Sequence, residues 1–187
     1  MAIPTDARSR KIAIVCHCLL NANAKVEGLS GYAGIHPLID RLAQEGIGVV
    51  QMPCAEMTAL GMRRWGQTRE QYESVAFTEH CRALSLDTLA QVQEFVRCGY
   101  DIVGVVGVDG SPTCGVTNSA SGDWGGEYPE AEAWAEALRD VTSVPRPGVH
   151  IEILMELLEP LGVKFVAIDE SVPGHDVDAV VSALTGV

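Results

Sequence analysis

KIAIVCH, residues 11–17, is the stretch that decides the fold: an unbroken apolar run, rich in β-branched side chains, between a lysine and a histidine. A strand with no polar alternation is buried on both faces, the condition of a strand inside a parallel sheet. Three further runs repeat the pattern: Gly46–Met52 (GIGVVQM), Asp101–Val108 (DIVGVVGV) and Val163–Asp169 (VKFVAID). Between them, helical spacing of apolar residues covers Gly34–Gln44, the long Arg69–Arg97 and Val149–Leu158, and Asp176–Leu184 closes the chain. Alternating buried strands and helices predict right-handed βαβ units. The expected fold is therefore α/β: an open, mostly parallel Rossmann/flavodoxin-like sheet with helices on both faces.

The 187 residues fit one domain spanning 1–187, and 47% hydrophobic residues are enough to build a sizeable core. Lys and Arg total 13 against 25 Asp and Glu, a formal charge of −12. Such a surface repels phosphate backbones and anionic membranes, which argues against a nucleic-acid polymer or a membrane as partner. Arg63 and Arg64 form one basic pair. No apolar run approaches the ~20 residues that span a bilayer, and MAIPTDARSRK at the start is not a signal peptide, so the expected location is the cytoplasm. In that reducing compartment the six cysteines serve packing, metal binding or catalysis rather than a disulfide framework.

In an open α/β sheet, ligands bind beyond the carboxyl ends of the strands. Cys18 closes the first run, Cys54 the second, and Cys114 follows the third through the turn VDGSPTCG. Pro53 and Pro112 stiffen the backbone beside the last two. Three converging thiolates satisfy three irons of a 4Fe-4S cluster and leave the fourth open to substrate. They also suit a catalytic zinc with one water, although the local C-x2-C pair usual in zinc sites is missing. Cys16 shares a strand face with Cys18 and could replace it as ligand; position nearer the strand end favours Cys18, with Cys16 as its buried neighbour. Cys81 and Cys98 read as packing residues in the long helical segment. His17 points to the opposite face of a regular strand, and His36, His80, His150 and His175 have no partner spacing.

The loop Asp109–Glu127, rich in Gly, Ser and Asn, is long enough to form a wall or lid of an active site. Two other chemistries compete. A nucleotide- or metabolite-binding module would use Gly107–Gly126 as a phosphate nest, yet neither G-x-G-x-x-G after the first strand nor G-x4-G-K-[ST] occurs. A thiol redox protein would use Cys16 and Cys18, without the C-x-x-C arrangement.

At CHCLLNANAKVEG (16–28), MPCAEMTALGMRRWGQTREQY (52–72) and VDGSPTCGV (108–116) the chain resembles the 2-thiouracil desulfidase family and its relatives. The resemblance runs to about Gly126. It implies a 4Fe-4S cluster on Cys18, Cys54 and Cys114 whose open iron takes the sulfur of a small thiolated pyrimidine base or nucleoside, released as hydrogen sulfide by hydrolysis. Thiocarbonyl sulfur is soft and prefers such an iron to a hard, oxygen-ligated cation. The family's second motif usually reads Cys-Pro-Glu; here Cys54-Ala55-Glu56 keeps the carboxylate at the same spacing. Glu56 is thus a candidate acid/base, with Asp109 and Ser111 as further catalytic candidates. In the third motif, Val108-Asp109-Gly110 replaces a basic, serine-rich lead-in. On this view the 109–127 loop closes the pocket, Ser111 and Asn118 hydrogen-bond a planar heterocycle, and Trp124 or Trp65 offers it a stacking face.

Overall fold

The computed structural model describes residues 6–171 and 176–186, so the expected features at the first five residues and at His175 lie outside the described residues. In chain order the strands are β1 (Lys11–Cys16), β2 (Gly48–Met52), β3 (Asp101–Val108), β4 (Ser119–Ser121), β5 (Thr142–Val144) and β6 (Phe165–Ile168). The helices are α1 (His17–Leu20), α2 (Pro37–Gln44), α3 (Ala55–Leu60), α4 (Arg69–Tyr72), α5 (Val75–Arg97), α6 (Ala131–Arg139), α7 (Val149–Leu158) and α8 (Val177–Thr185).

β2, β1, β3 and β6 form one parallel sheet in that order, with Ile14 in register with Val50 on one side and Val105 on the other. Every β1 residue after Lys11 is buried, as its unbroken apolar run requires. Leaving aside the two-stranded β4–β5 ribbon, the order is second, first, third, fourth, that of a doubly wound flavodoxin-like sheet. α2 and α8 pack together and against β2, β3 and β6, while α5 and α7 form a second layer in which α5 covers β2 and β3. The α/β architecture with helices on both faces is the one expected. No described helix is long and apolar enough to cross a membrane.

The differences have local causes. The helix expected over 34–44 starts only at Pro37, where proline occupies the first turn and His36 Nδ1 accepts the Leu38 N–H at 3.1 Å. The segment 69–97 breaks at Glu73 because Ser74 caps α5, its Oγ accepting from Phe77 N at 3.4 Å. The strands expected from Gly46 and Val163 shorten at their starts to Gly48 and Phe165. The 109–127 segment is partly regular, since β4 pairs antiparallel with β5. His17 opens α1 instead of extending β1, so strand alternation does not reach it.

Backbone meets backbone where Thr113 and Cys114 pass under two glycines. A Cβ on Gly148 would stand 2.3 Å from Thr113 C, and one on Gly107 2.4 Å from Cys114 O. Neither contact yields without moving the Cys114 turn. Gly148→Ala therefore lowers stability by about 2–3 kcal/mol in urea unfolding, in the upper part of the overpacking range. Gly125→Ala, with nothing within 4 Å, serves as the near-neutral control; equal stabilities for the two variants would show that the turn is not tightly held.

Candidate functional site

The four parallel strands each deliver a residue to one crevice. α1 follows β1 directly and carries Cys18; Cys54 stands two residues past the end of β2 and caps α3; β3 leads into the turn bearing Ser111 and Cys114; and Glu170 lies just past β6. Their side chains line a cavity of about 570 Å³. Its place beyond the strand ends, where the chain order switches between β1 and β3, is where open α/β sheets bind ligands.

Cys18, Cys54 and Cys114 all stand on the cavity wall, whereas Cys16 is fully buried and off it. All six cysteines are free. Burial pushes the Cys54 thiol up to about 11 and the Cys18 thiol higher still, with the Lys25 ammonium opposing the rise at Cys18. Cys114 goes the other way. The Cys16 thiol hydrogen-bonds it and holds it down against its burial, while Cys16 itself is raised and keeps its proton. Thiols must lose their protons to ligate a metal, so this donor set releases protons as a metal binds.

Glu56 is 7% exposed and fully partnered: Oε2 accepts from Arg64 Nε at 3.0 Å, and Oε1 accepts from Thr113 Oγ1 at 2.7 Å. Arg64 in turn donates through Nη2 to Ala24 O at 2.6 Å. The Ser111 hydroxyl lies 3.3 Å from Thr113 Oγ1 and accepts from Cys114 N at 3.0 Å. Ser111, Thr113 and Glu56 thus form a chain of hydroxyls and carboxylate along the wall, beside Cys114.

Two expected site residues serve the loop instead. Asp109 Oδ1 accepts from the backbone N–H of Val116 at 2.8 Å and Thr117 at 2.9 Å, and its Oδ2 is taken by the Thr117 hydroxyl and by Asn118 Nδ2. Asp109 lines the cavity, and its carboxylate meets all of these donors in folding the turn. Asn118 is spent in the same way: its Oδ1 accepts from Gly110 N at 2.9 Å and Ser143 Oγ at 3.2 Å, and it is absent from the cavity wall. Trp124, 9% exposed, is on the wall with its ring against Trp134 at 5.3 Å, while Trp65 is 59% exposed and off it. His150 lies off the wall: it is fully buried, and desolvation pushes it down to about 4.

The sequence reading missed Arg64, Thr113, Gln67 and the Lys25–Glu170 ion pair, all on the wall. Each but Glu170 lies inside a motif already quoted, yet no spacing rule links Glu56 to a threonine 57 residues away. Among the described residues, no three His, Cys, Asp or Glu side chains stand close enough to hold a single metal ion.

The geometry defines a doubly wound α/β protein with a three-thiol cavity at its switch point. The profile described as "Putative 2-thiouracil desulfurase" matches residues 10–137, and the chain belongs to that family. An uncharacterized protein of Methanocaldococcus jannaschii is 32% identical over 110 residues, covering 58% of this chain and 70% of its own. A solved structure of a 4Fe-4S-dependent thiouracil desulfidase superposes with a TM-score of 0.55 at 19% identity, over 95% of this chain and 99% of that one, and shares the fold.

The Glu56–Arg64 pair joins α3 to the segment before α4 and to Ala24, so its loss is structural before it is chemical. Arg64→Met strands a buried carboxylate and costs about 3–5 kcal/mol in denaturant unfolding, and adding Glu56→Gln restores part of that loss. A cost below about 1 kcal/mol for the single variant would contradict this role.

Proposed function

We propose that the chain is a desulfidase that removes the sulfur of a small thiolated pyrimidine, base or nucleoside, as hydrogen sulfide by hydrolysis, using a 4Fe-4S cluster on Cys18, Cys54 and Cys114. The observation that carries this reading is the convergence of these three thiols, from three different strand ends, on one cavity wall. When bound, the cluster supplies a thiophilic iron with one position free for the substrate's sulfur, which polarises the thiocarbonyl carbon toward water. The donor set fits. Three thiolates on one zinc, at Zn–S of about 2.3 Å, would crowd within ~4 Å of one another, whereas a cluster spaces them more widely. The absence of a single-ion cage among the described residues supports the cluster over a three-thiolate zinc site.

Water adds to the thiocarbonyl carbon, the C–S bond breaks, and the carbon ends as a carbonyl, so atoms balance and no electrons are needed. Both protons of the attacking water must leave its oxygen, and two must reach the sulfur. Glu56 Oε1 is the group placed to hold one, exchanging it through the Thr113 and Ser111 hydroxyls. Arg64 on Oε2 fixes the carboxylate's orientation. Cys16, behind Cys114, hydrogen-bonds that thiol and lowers its pKa without lining the cavity. The free thiols agree with a reducing cytoplasm as the place of action, and we take residues 1–187 as one domain.

Sulfide release from 2-thiouracil, measured anaerobically, tests the assignment. Glu56→Gln keeps the visible absorption of the cluster and slows release by ~100-fold or more, the scale of lost acid/base catalysis. Single Cys-to-Ser changes at 18, 54 and 114 abolish the absorption. Release at the wild-type rate in Glu56→Gln would exclude that residue, and a cluster that survives Cys18→Ser but not Cys16→Ser would transfer the ligand role to Cys16.

A further inference from the structure

Two side chains of the cavity wall carry a buried polar atom with no hydrogen-bond partner: Trp124 at Nε1 and Gln67 at Oε1. A buried donor or acceptor left unpaired costs about 1–3 kcal/mol, and such groups in a native protein call for an explanation. The two do not arise from a loose segment. Thr68 Oγ1 donates to Gly122 O at 2.9 Å, and Gln71 Nε2 donates to Trp124 O at 3.1 Å, which ties the stretch around Gln67 to the one around Trp124. The Trp134 contact braces the indole. Both unsatisfied side chains therefore stand on neighbouring, mutually anchored segments of the same wall.

Their chemistry is complementary to one kind of ring edge. The indole can only donate, so it requires an acceptor; the amide of Gln67 presents an acceptor to an N–H. A ring carbonyl next to a ring N–H offers both in adjacent positions. A thiolated ring without that carbonyl leaves the indole N–H buried and unpaired, and rejection by unpaired polar groups is the strongest form of small-molecule discrimination.

We infer that Trp124 Nε1–H and the Gln67 side-chain amide read the C(=O)–NH edge of the substrate ring, making them the specificity determinants for thiolated rings that keep a second, oxygen-bearing carbonyl. The inference rests on the desulfidase reading for the thiolated class of the substrate. It does not need the sulfur for binding, because uracil, which carries the same edge, is held by the same contacts.

Calorimetric binding of uracil to the anaerobically purified protein, together with sulfide release from 2-thiouracil and from pyrimidine-2-thione, separates the possibilities. The wild type binds uracil and prefers 2-thiouracil over pyrimidine-2-thione, which lacks the carbonyl, by about tenfold or more. Trp124→Phe keeps the ring and removes the N–H. It weakens uracil binding and raises KM for 2-thiouracil by about tenfold, leaves KM for pyrimidine-2-thione unchanged, and leaves the cluster absorption intact; Gln67→Leu gives the same pattern. Equal turnover of both thiones by the wild type, no uracil binding, or a Trp124→Phe effect shared by both thiones would overturn the inference. Uracil binding that depends on Trp124 with no sulfide released from any thiolated ring would support this recognition and reject the desulfidase reading.

Discussion

The first turn of α7 has no side chain to cap it, and its free N–H groups are satisfied from another part of the chain. Val149 N donates to Pro112 O at 3.0 Å, while His150 N and Ile151 N donate to Thr113 O at 3.0 and 3.1 Å. Buried amide groups must find partners, so this helix cannot dock without the Pro112–Thr113 carbonyls in place. The same turn is pinned from below by Val108 N donating to Cys114 O at 2.9 Å, and Gly107 and Gly148 allow the backbones to approach that closely. Cys114 is consequently held by β3 on one side and α7 on the other. Glu56 then fastens the Cys54 helix to Thr113 within this turn. The position of Cys114, and its link to the helix that Cys54 caps, is set by this packing.

Rigidity of this kind bears on the electrostatics. Desolvation pushes Cys18 and Cys54 up, whereas Cys114, more deeply buried than either, is held down by the hydrogen bond from Cys16. The two cations of the wall, Lys25 and Arg64, are each paired with a carboxylate, Glu170 and Glu56. A cavity whose cations are already neutralised by carboxylates offers little to a phosphate-bearing ligand.

The sheet was legible in the sequence because strands buried on both faces leave an unbroken apolar signature, as in β1 and β3, and α7 because its apolar residues repeat at helical spacing. Cys18, Cys54 and Cys114 came to the same crevice for a topological reason: strand ends in a parallel sheet share one edge. What stayed hidden were events without periodicity. The break at Glu73 depends on a serine cap that looks like any polar residue within a helix. Asp109 and Asn118 have the side chains of a catalytic loop, yet the amides of Val116, Thr117 and Gly110 needed acceptors and took them. Residue type alone does not reveal which of these demands a carboxylate or amide will meet. The partners of Glu56, one eight residues away and one fifty-seven, become visible only when the turn after β3 is folded beside α3.

The account centres on three thiols that line one cavity and, as proposed, hold a cluster and not a single ion. Iron, acid-labile sulfide and zinc measured per chain in anaerobically purified wild-type protein address it most directly. The account predicts about four iron and four sulfide per chain with negligible zinc; one zinc per chain with neither iron nor sulfide would contradict it.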